Sequence, residues 1–283
     1  MSDVIPANRT GALRRWRAIP ATMVIGSGVT LIWILLALLA PMLTDYEPIK
    51  VDVLSALRPP GAEHILGSDA IGRDVLARIL YGARCDLAMA FFGVVGPIIL
   101  GTAIGLISGY FGGRIDALLM RILEVTISFP YFVLVIAIVA VLGPGLKSYF
   151  ISLTLVNWVS YARLIRSQAL VLRGSDFVLA ARGMGFGHVR IMLFHIFPNA
   201  IIPSVVFVMT DAVLTIVLGS SLGFLGLGVQ PPTPEWGAMI AEGQTYLTTA
   251  WWISIFPGLA VCSLALGLSL MADGLARLLN TGP

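Results

Sequence analysis

The side chains that could do chemistry are few and lie in separate stretches of the 283-residue chain. Gly219-Ser220-Ser221-Leu222-Gly223 matches the pattern of a nucleophilic serine, which needs a strand-to-helix turn with a histidine and an acid close by. Here the pattern lies inside an apolar run, far in sequence from His64, His188 and His195, so close packing of small residues between helices explains it better. Three scattered histidines and two cysteines, Cys85 and Cys262, offer neither zinc-ligand spacing nor a disulfide framework. Asp211, Asn157 and the pair Arg121 and Glu124 also fall inside apolar runs, where charge is costly and marks function by default. Arg121 and Glu124, three residues apart on one helical face, are expected to pair. Asp211 has no partner nearby in sequence and, with Asn157, is assigned to a translocation pathway or to a contact between helices.

The most informative stretch runs from Arg163 to Asn199, RLIRSQALVLRGSDFVLAARGMGFGHVRIMLFHIFPN. Ser175 and Asp176 are placed to cap a short helix reaching Met184, and the cluster Gly183, Gly185 and Gly187 is placed to break it. A second amphipathic stretch starts at His188 and is expected to stop at Pro198. Two short helices about a glycine hinge make a rigid elbow.

The elements that hold these groups are apolar. The chain is 58% hydrophobic and 12% charged, and its mean hydropathy is +0.93. An ordinary soluble domain is about 45–50% apolar and about 25% charged. A net charge of +3, with no basic block interleaved with aromatics, argues against nucleic acid as a partner. The reading is an all-α membrane protein of six transmembrane helices, near 19–43, 87–109, 117–142, 149–170, 200–228 and 250–275. The first is an uncleaved signal anchor, because its uncharged run exceeds the 7–15 residues typical of a signal peptide. Domain boundaries follow: a cytoplasmic tail 1–18, the first helix 19–43, an external segment 44–86, a five-helix core 87–275 containing the elbow 171–199, and a cytoplasmic tail 276–283. With both termini inside, eleven arginines fall on the cytoplasmic side against six basic residues outside, as the positive-inside rule prefers. Ile71, Val75 and Ile79 recur at helical spacing opposite Arg73, Asp74 and Arg78, which predicts an amphipathic helix on the outer interface with solvated charges. Gly101, Gly105 and Gly109, and again Gly219 and Gly223, predict faces where helices approach closely.

The elbow resembles the Glu-Ala-Ala coupling motif of ABC importer permeases, an Ala-Ala pair followed by Gly and later Pro, here Ala180, Ala181, Gly185 and Pro198. Leu179 stands where that motif has Glu, and His195 where it has Ile; both departures resemble the di- and oligopeptide branch. Two further blocks agree: HILGSDAIGRDVLARILYGAR, from His64 to Arg84, resembles the His-x-Leu-Gly-Thr-Asp-x-x-Gly-Arg-Asp segment of dipeptide and nickel permeases, with Ser68 for Thr, and FLGLGVQPPTPEWGAMIAEG, from Phe224 to Gly243, resembles their last external loop. The resemblance implies a type I ABC importer permease with no catalytic residues and no cofactor of its own. Its partners would be the bilayer of the bacterial inner membrane, a homologous second permease, two ATPase subunits that bind ATP and Mg, and an external solute-binding protein. It implies a coupling role for Asp176, Ala180, Ala181, Arg182, Gly183, Gly185 and Pro198. With Leu179 in place of the acid, small-residue packing is the expected contact. Asp69, Arg73 and Asp74 are assigned either to docking the binding protein or to a solvated interfacial scaffold, and Glu235 and Trp236 to docking. Dipeptides or oligopeptides are the expected cargo, with nickel complexes or another small solute as the alternative. A proton-coupled carrier using Asp211 and Glu124 is the reading from another class.

Overall fold

The structure, a computed structural model, describes residues 19–280. The predicted tail 1–18, with Arg9, Arg14, Arg15 and Arg17, and the last three residues lie outside the described residues. Helix α1 is Ala21–Leu43, α2 is Val75–Phe111, α3 is Gly113–Ile127, α4 is Tyr131–Leu142 and α5 is Leu146–Leu172. The elbow contains α6 (Asp176–Gly183), α7 (His188–Ile191), a π turn (Met192–Ile196) and α8 (Phe197–Ala200). The chain then runs through α9 (Ile202–Phe224), α10 (Trp236–Gly243) and α11 (Trp252–Asn280).

Four of these helices, α1, α2, α9 and α11, are long and apolar enough to cross a membrane singly, and the bent pair α3 and α4 makes a fifth. Predicted as one span, that pair turns by 87° at Ser128-Phe129-Pro130. Proline lacks the N–H that would continue the ladder, and it pushes the residue before it out of helical geometry. The predicted fourth span is α5, whose Lys147, Arg163 and Arg166 dilute its apolar character.

Helix α2 corrects a boundary. The expected interfacial helix is its first turns: 37 residues continue unbroken from Val75 to Phe111, about 55 Å at ~1.5 Å per residue. Asp74 starts it, accepting a hydrogen bond from Ala77 N at 2.7 Å, and Gly112 at φ 64° ends it. The charges that suggested a break find partners inside the protein instead. One of them, Arg84, repairs α1. Pro41 lies inside α1 and cannot donate to the carbonyl of Ala37 four residues earlier; Arg84 Nε donates to that oxygen at 2.8 Å.

The predicted glycine face of α2 lies on α5. Gly101 sits against Trp158 O and Tyr161, Gly105 against Ala162 O and Ile165, and Gly109 against Ala169 and Arg166. A side chain at any of them would meet backbone, so the two helices are in near main-chain contact. Because α2 is so long, its N-terminal end carries a cap made of residues 45–74 and α10, and its C-terminal end meets the elbow.

Candidate functional site

In the cap, ionic groups are turned inward. The Asp69 carboxylate accepts from Arg73 Nε at 2.5 Å and from Arg78 at 2.6 Å, and also from the amides of Ile71 and Arg73. Glu242 on α10 takes the other side of both arginines, each at 2.6 Å. Asp74, besides capping α2, accepts from His64 Nδ1 at 2.9 Å. Glu235 caps α10 through Gly237 N and Ala238 N and packs against Gly223. Burial pushes its carboxyl up to about 7, while those two amides pull it down. Trp236 donates from its indole to Ile79 O at 3.0 Å and from its amide to Asp86, with its ring edge-on to Trp33 at 4.8 Å. The Ser68 hydroxyl bonds Ser55 O and receives Arg58 N.

Asp69, Arg73, Asp74, Glu235 and Trp236 are all buried. The reading of Asp69, Arg73 and Asp74 as solvated charges is therefore corrected: with Glu235 and Trp236 they form the internal frame of the cap. Buried charges persist only when paired and hydrogen-bonded, and Glu242 and His64 supply that pairing. Sequence reading missed Glu242, His64 and Arg78 in this role, because Glu242 lies 164 residues from Arg78 and no local spacing announces the contact.

The elbow is built the other way round. Helix α6 ends in paired turns: Gly185 N donates to Arg182 O at 2.9 Å and Phe186 N to Ala181 O at 3.2 Å. This closing motif needs a left-handed residue, and Gly185 supplies it at φ +81°. The glycine hinge thus reduces to Gly185, because Gly183 and Gly187 adopt no such conformation. Ser175 stands at the cap position without capping; its hydroxyl donates to Leu172 O at 2.6 Å. Ala181 is buried with Val178, Ile191 and Ile196. Asp176, Ala180, Arg182, Gly183 and Gly185 are exposed, as are Phe177 at 44%, Leu179 at 49% and Met184 at 65%.

Pro198 does not stop the second stretch, as was expected. The helix widens into a π turn, with Phe197 N donating to Met192 O, and continues through α8 toward α9. The wider turn spares the clash between a proline ring and the carbonyl four residues back. The elbow is tied to α2 by Tyr110 Oη and His188 Nδ1 at 2.8 Å, by Arg182 over the Tyr110 ring at 5.1 Å and by Arg173 donating to Gly109 O.

Between the two ends, Asp211 and Asn157 do meet. Asp211 accepts from Asn157 Nδ2 at 2.5 Å and from Tyr161 Oη at 2.8 Å, and its side chain is buried between α5 and α9. The structure displays a contact between helices: each carboxylate oxygen accepts a hydrogen bond from α5. Tyr161 was missed, though it stands one turn after Asn157 on α5. Arg121 and Glu124 pair at 2.9 Å on the exposed face of α3. Ser221 donates to Val217 O within α9, while His64 and His188 are engaged elsewhere, so the serine pattern is a packing face.

A bundle of apolar helices, with an internally paired cap at one end and an exposed apolar elbow at the other, is that of a multi-pass membrane protein. Residues 101–282 match the family profile of the binding-protein-dependent transport system inner membrane component. The chain is 40% identical to the dipeptide transport system permease protein DppC of Alkalihalophilus pseudofirmus, over 91% of this chain and 84% of that one. It is 36% identical to the probable D,D-dipeptide transport system permease protein DdpC of Escherichia coli, over 99% and 95%. Among solved structures, its fold is similar to a chain of the inward-facing MetNI methionine ABC transporter, with a TM-score of 0.57 at 16% identity, over 71% of this chain and 96% of that one. The chain belongs to the family of binding-protein-dependent transport system inner membrane components. It is a permease subunit of an ABC importer, a multi-pass inner-membrane protein that transports rather than catalyses.

Proposed function

We propose that this permease moves dipeptides or short peptides, handed over by an external solute-binding protein, and is driven by ATP hydrolysis in two ATPase subunits seated under its elbow. The working unit would pair this chain with a homologous second permease. Six spans are counted, α1, α2, the bent pair α3 and α4, α5, α9 and α11, with both termini and the elbow cytoplasmic and the cap external. ATP and Mg would be bound by the ATPases, and no cofactor is needed in this chain.

The observation that carries this reading is the exposed face of α6. Large apolar side chains left in water mark an interaction surface, and Phe177, Leu179 and Met184 stand there beside the small residues Ala180, Gly183 and Gly185. Asp176 and Arg182 would rim the contact. Ala181 acts from beneath by holding α6 on the elbow core, and Pro198 acts by keeping the elbow continuous with α9. Closure of the ATPases would push α6; the Tyr110–His188 and Arg173–Gly109 bonds pass that push to α2, and the π turn passes it to α9. Rigid tilting of α2, α5 and α9 would then alternate access across the membrane. Peptides are favoured as cargo by the dipeptide and D,D-dipeptide names of the relatives.

The test is uptake by proteoliposomes holding the whole importer, with a labelled dipeptide and, in parallel, a nickel complex. ATP-dependent dipeptide uptake that vanishes when the binding protein is omitted is the expected result. Uptake of nickel alone would replace the cargo, and uptake by this chain without any ATPase under a proton gradient would overturn the reading.

A further inference from the structure

Helices α1, α2, α9 and α11 line an open groove of about 650 Å³, walled by side chains such as Leu38, Leu87, Phe91, Val95, Ile98 and Met271. From Arg84 to Ile98 it follows α2 for about 21 Å at a rise of ~1.5 Å per residue, most of the ~30 Å depth of a hydrocarbon core. Thr30 on its wall is already bonded to Gly26 O within α1. That leaves Arg84, at the end of the groove nearest the cap, as the polar side chain with capacity to spare.

Arg84 uses only part of its guanidinium. Nε donates to Ala37 O at 2.8 Å, and the group lies over the Tyr81 ring at 4.9 Å. Among the described residues, no carboxylate pairs with it and no acceptor takes its Nη groups. A guanidinium keeps its charge at any ordinary pH, and this exposed one stands toward the cap end of a helix that holds a candidate membrane span, the level at which a lipid headgroup would supply an anion. Its fork of N–H donors suits phosphate oxygens taken two at a time, while the groove below it suits an alkyl chain. We propose that the groove holds one acyl chain of a phospholipid whose phosphate rests on the Nη groups of Arg84. The lipid then fills the space where α1 stands away from α2 and α9. Charge and groove are joined end to end, which is the arrangement of headgroup and tail in one molecule.

The experiment uses the assembled importer, delipidated in detergent and titrated with phosphatidylglycerol under native mass spectrometry. One retained phosphatidylglycerol is expected, with Arg84→Gln lowering retention at least fivefold. Ala88→Trp, which fills the groove and leaves the guanidinium in place, should lower it similarly and carries the test alone if Arg84→Gln fails to assemble. Diacylglycerol with the same chains, and inorganic phosphate, should each bind at least tenfold more weakly. Equal retention by the wild type and Ala88→Trp overturns the proposal. So does phosphate binding as tight as phosphatidylglycerol, which would mean an anion site without a chain site. Efficient cross-linking of Val95→Cys to the second permease would put a protein helix in the groove and would also overturn it.

Discussion

At one end of α2, Asp69, Arg73 and Arg78 are hidden and face one another; at the other end, Phe177, Leu179 and Met184 stand in the open. Charges inside and apolar groups outside invert the arrangement that residue type alone would suggest. The difference follows from what each end must do alone. The cap has to close over the ends of α2 and α10, and it does so with ionic pairs in which Asp69, Arg73 and Arg78 are buried and Glu242 is partly so. The elbow can leave apolar surface uncovered only where a partner will cover it. Polarity therefore misled the reading of the cap as solvated, while the apolar elbow is the partner surface that the proposed function requires.

The sharpest way to break this contrast is at Arg78. Arg78→Met leaves the carboxylates of Asp69 and Glu242 to share Arg73 alone, and removing one partner of a buried ionic set costs about 3–5 kcal/mol. The expected outcome is a large fall in the thermal unfolding temperature and in the yield of membrane-inserted protein. A solvated cap would show neither.

Next comes the pH dependence of the cap. Glu235 titrates at about 7 in the folded protein against an ordinary 4.5, so the folded state binds its proton more tightly than the unfolded state. Its contribution to stability should be fully present below about pH 4.5, decline as pH rises through about 7, and be lost above. Glu235→Gln should flatten that decline, read as melting temperature against pH. A decline unchanged in Glu235→Gln would assign it to another group.

At the elbow, effects on stability shrink while effects on coupling grow. Gly185→Val must hold a branched side chain at φ +81°, a strain of roughly 1–2 kcal/mol. Insertion should persist while ATP-driven uptake drops and ATP hydrolysis loses its dependence on substrate. Leu179→Asp is smaller still, within about 0.5 kcal/mol for an exposed site, yet it should weaken ATPase co-purification severalfold. Normal co-purification would move the docking surface away from α6. An Ala181→Asp variant would not serve this purpose, since Ala181 is buried and its replacement damages the elbow itself.

Much of this molecule was legible from sequence because its signals are local. Apolar runs long enough for a bilayer, the Gly101–Gly105–Gly109 face and the Arg121–Glu124 pair each need only a few neighbouring residues to be read. The family blocks, Ala180 to Pro198 above all, were equally visible. What could not be read depends on distant partners: whether α2 breaks before Leu87 is decided by the cap that neutralises Arg78, and the hydrogen bonds of Asp211 come from Asn157 and Tyr161 on α5. Pro198 belongs with these, because whether a helix stops or widens into a π turn depends on the packing that holds both sides of it.

By itself the sequence determined an apolar helical membrane protein with an elbow of small residues, since hydrophobic length and glycine placement act over one or two turns. Only the tertiary structure decided that the charged block before α2 is a buried frame and the elbow an open surface. The physical reason is that the cost of a charge depends on what surrounds it, and at the cap those surroundings come from α10, more than 150 residues further along the chain.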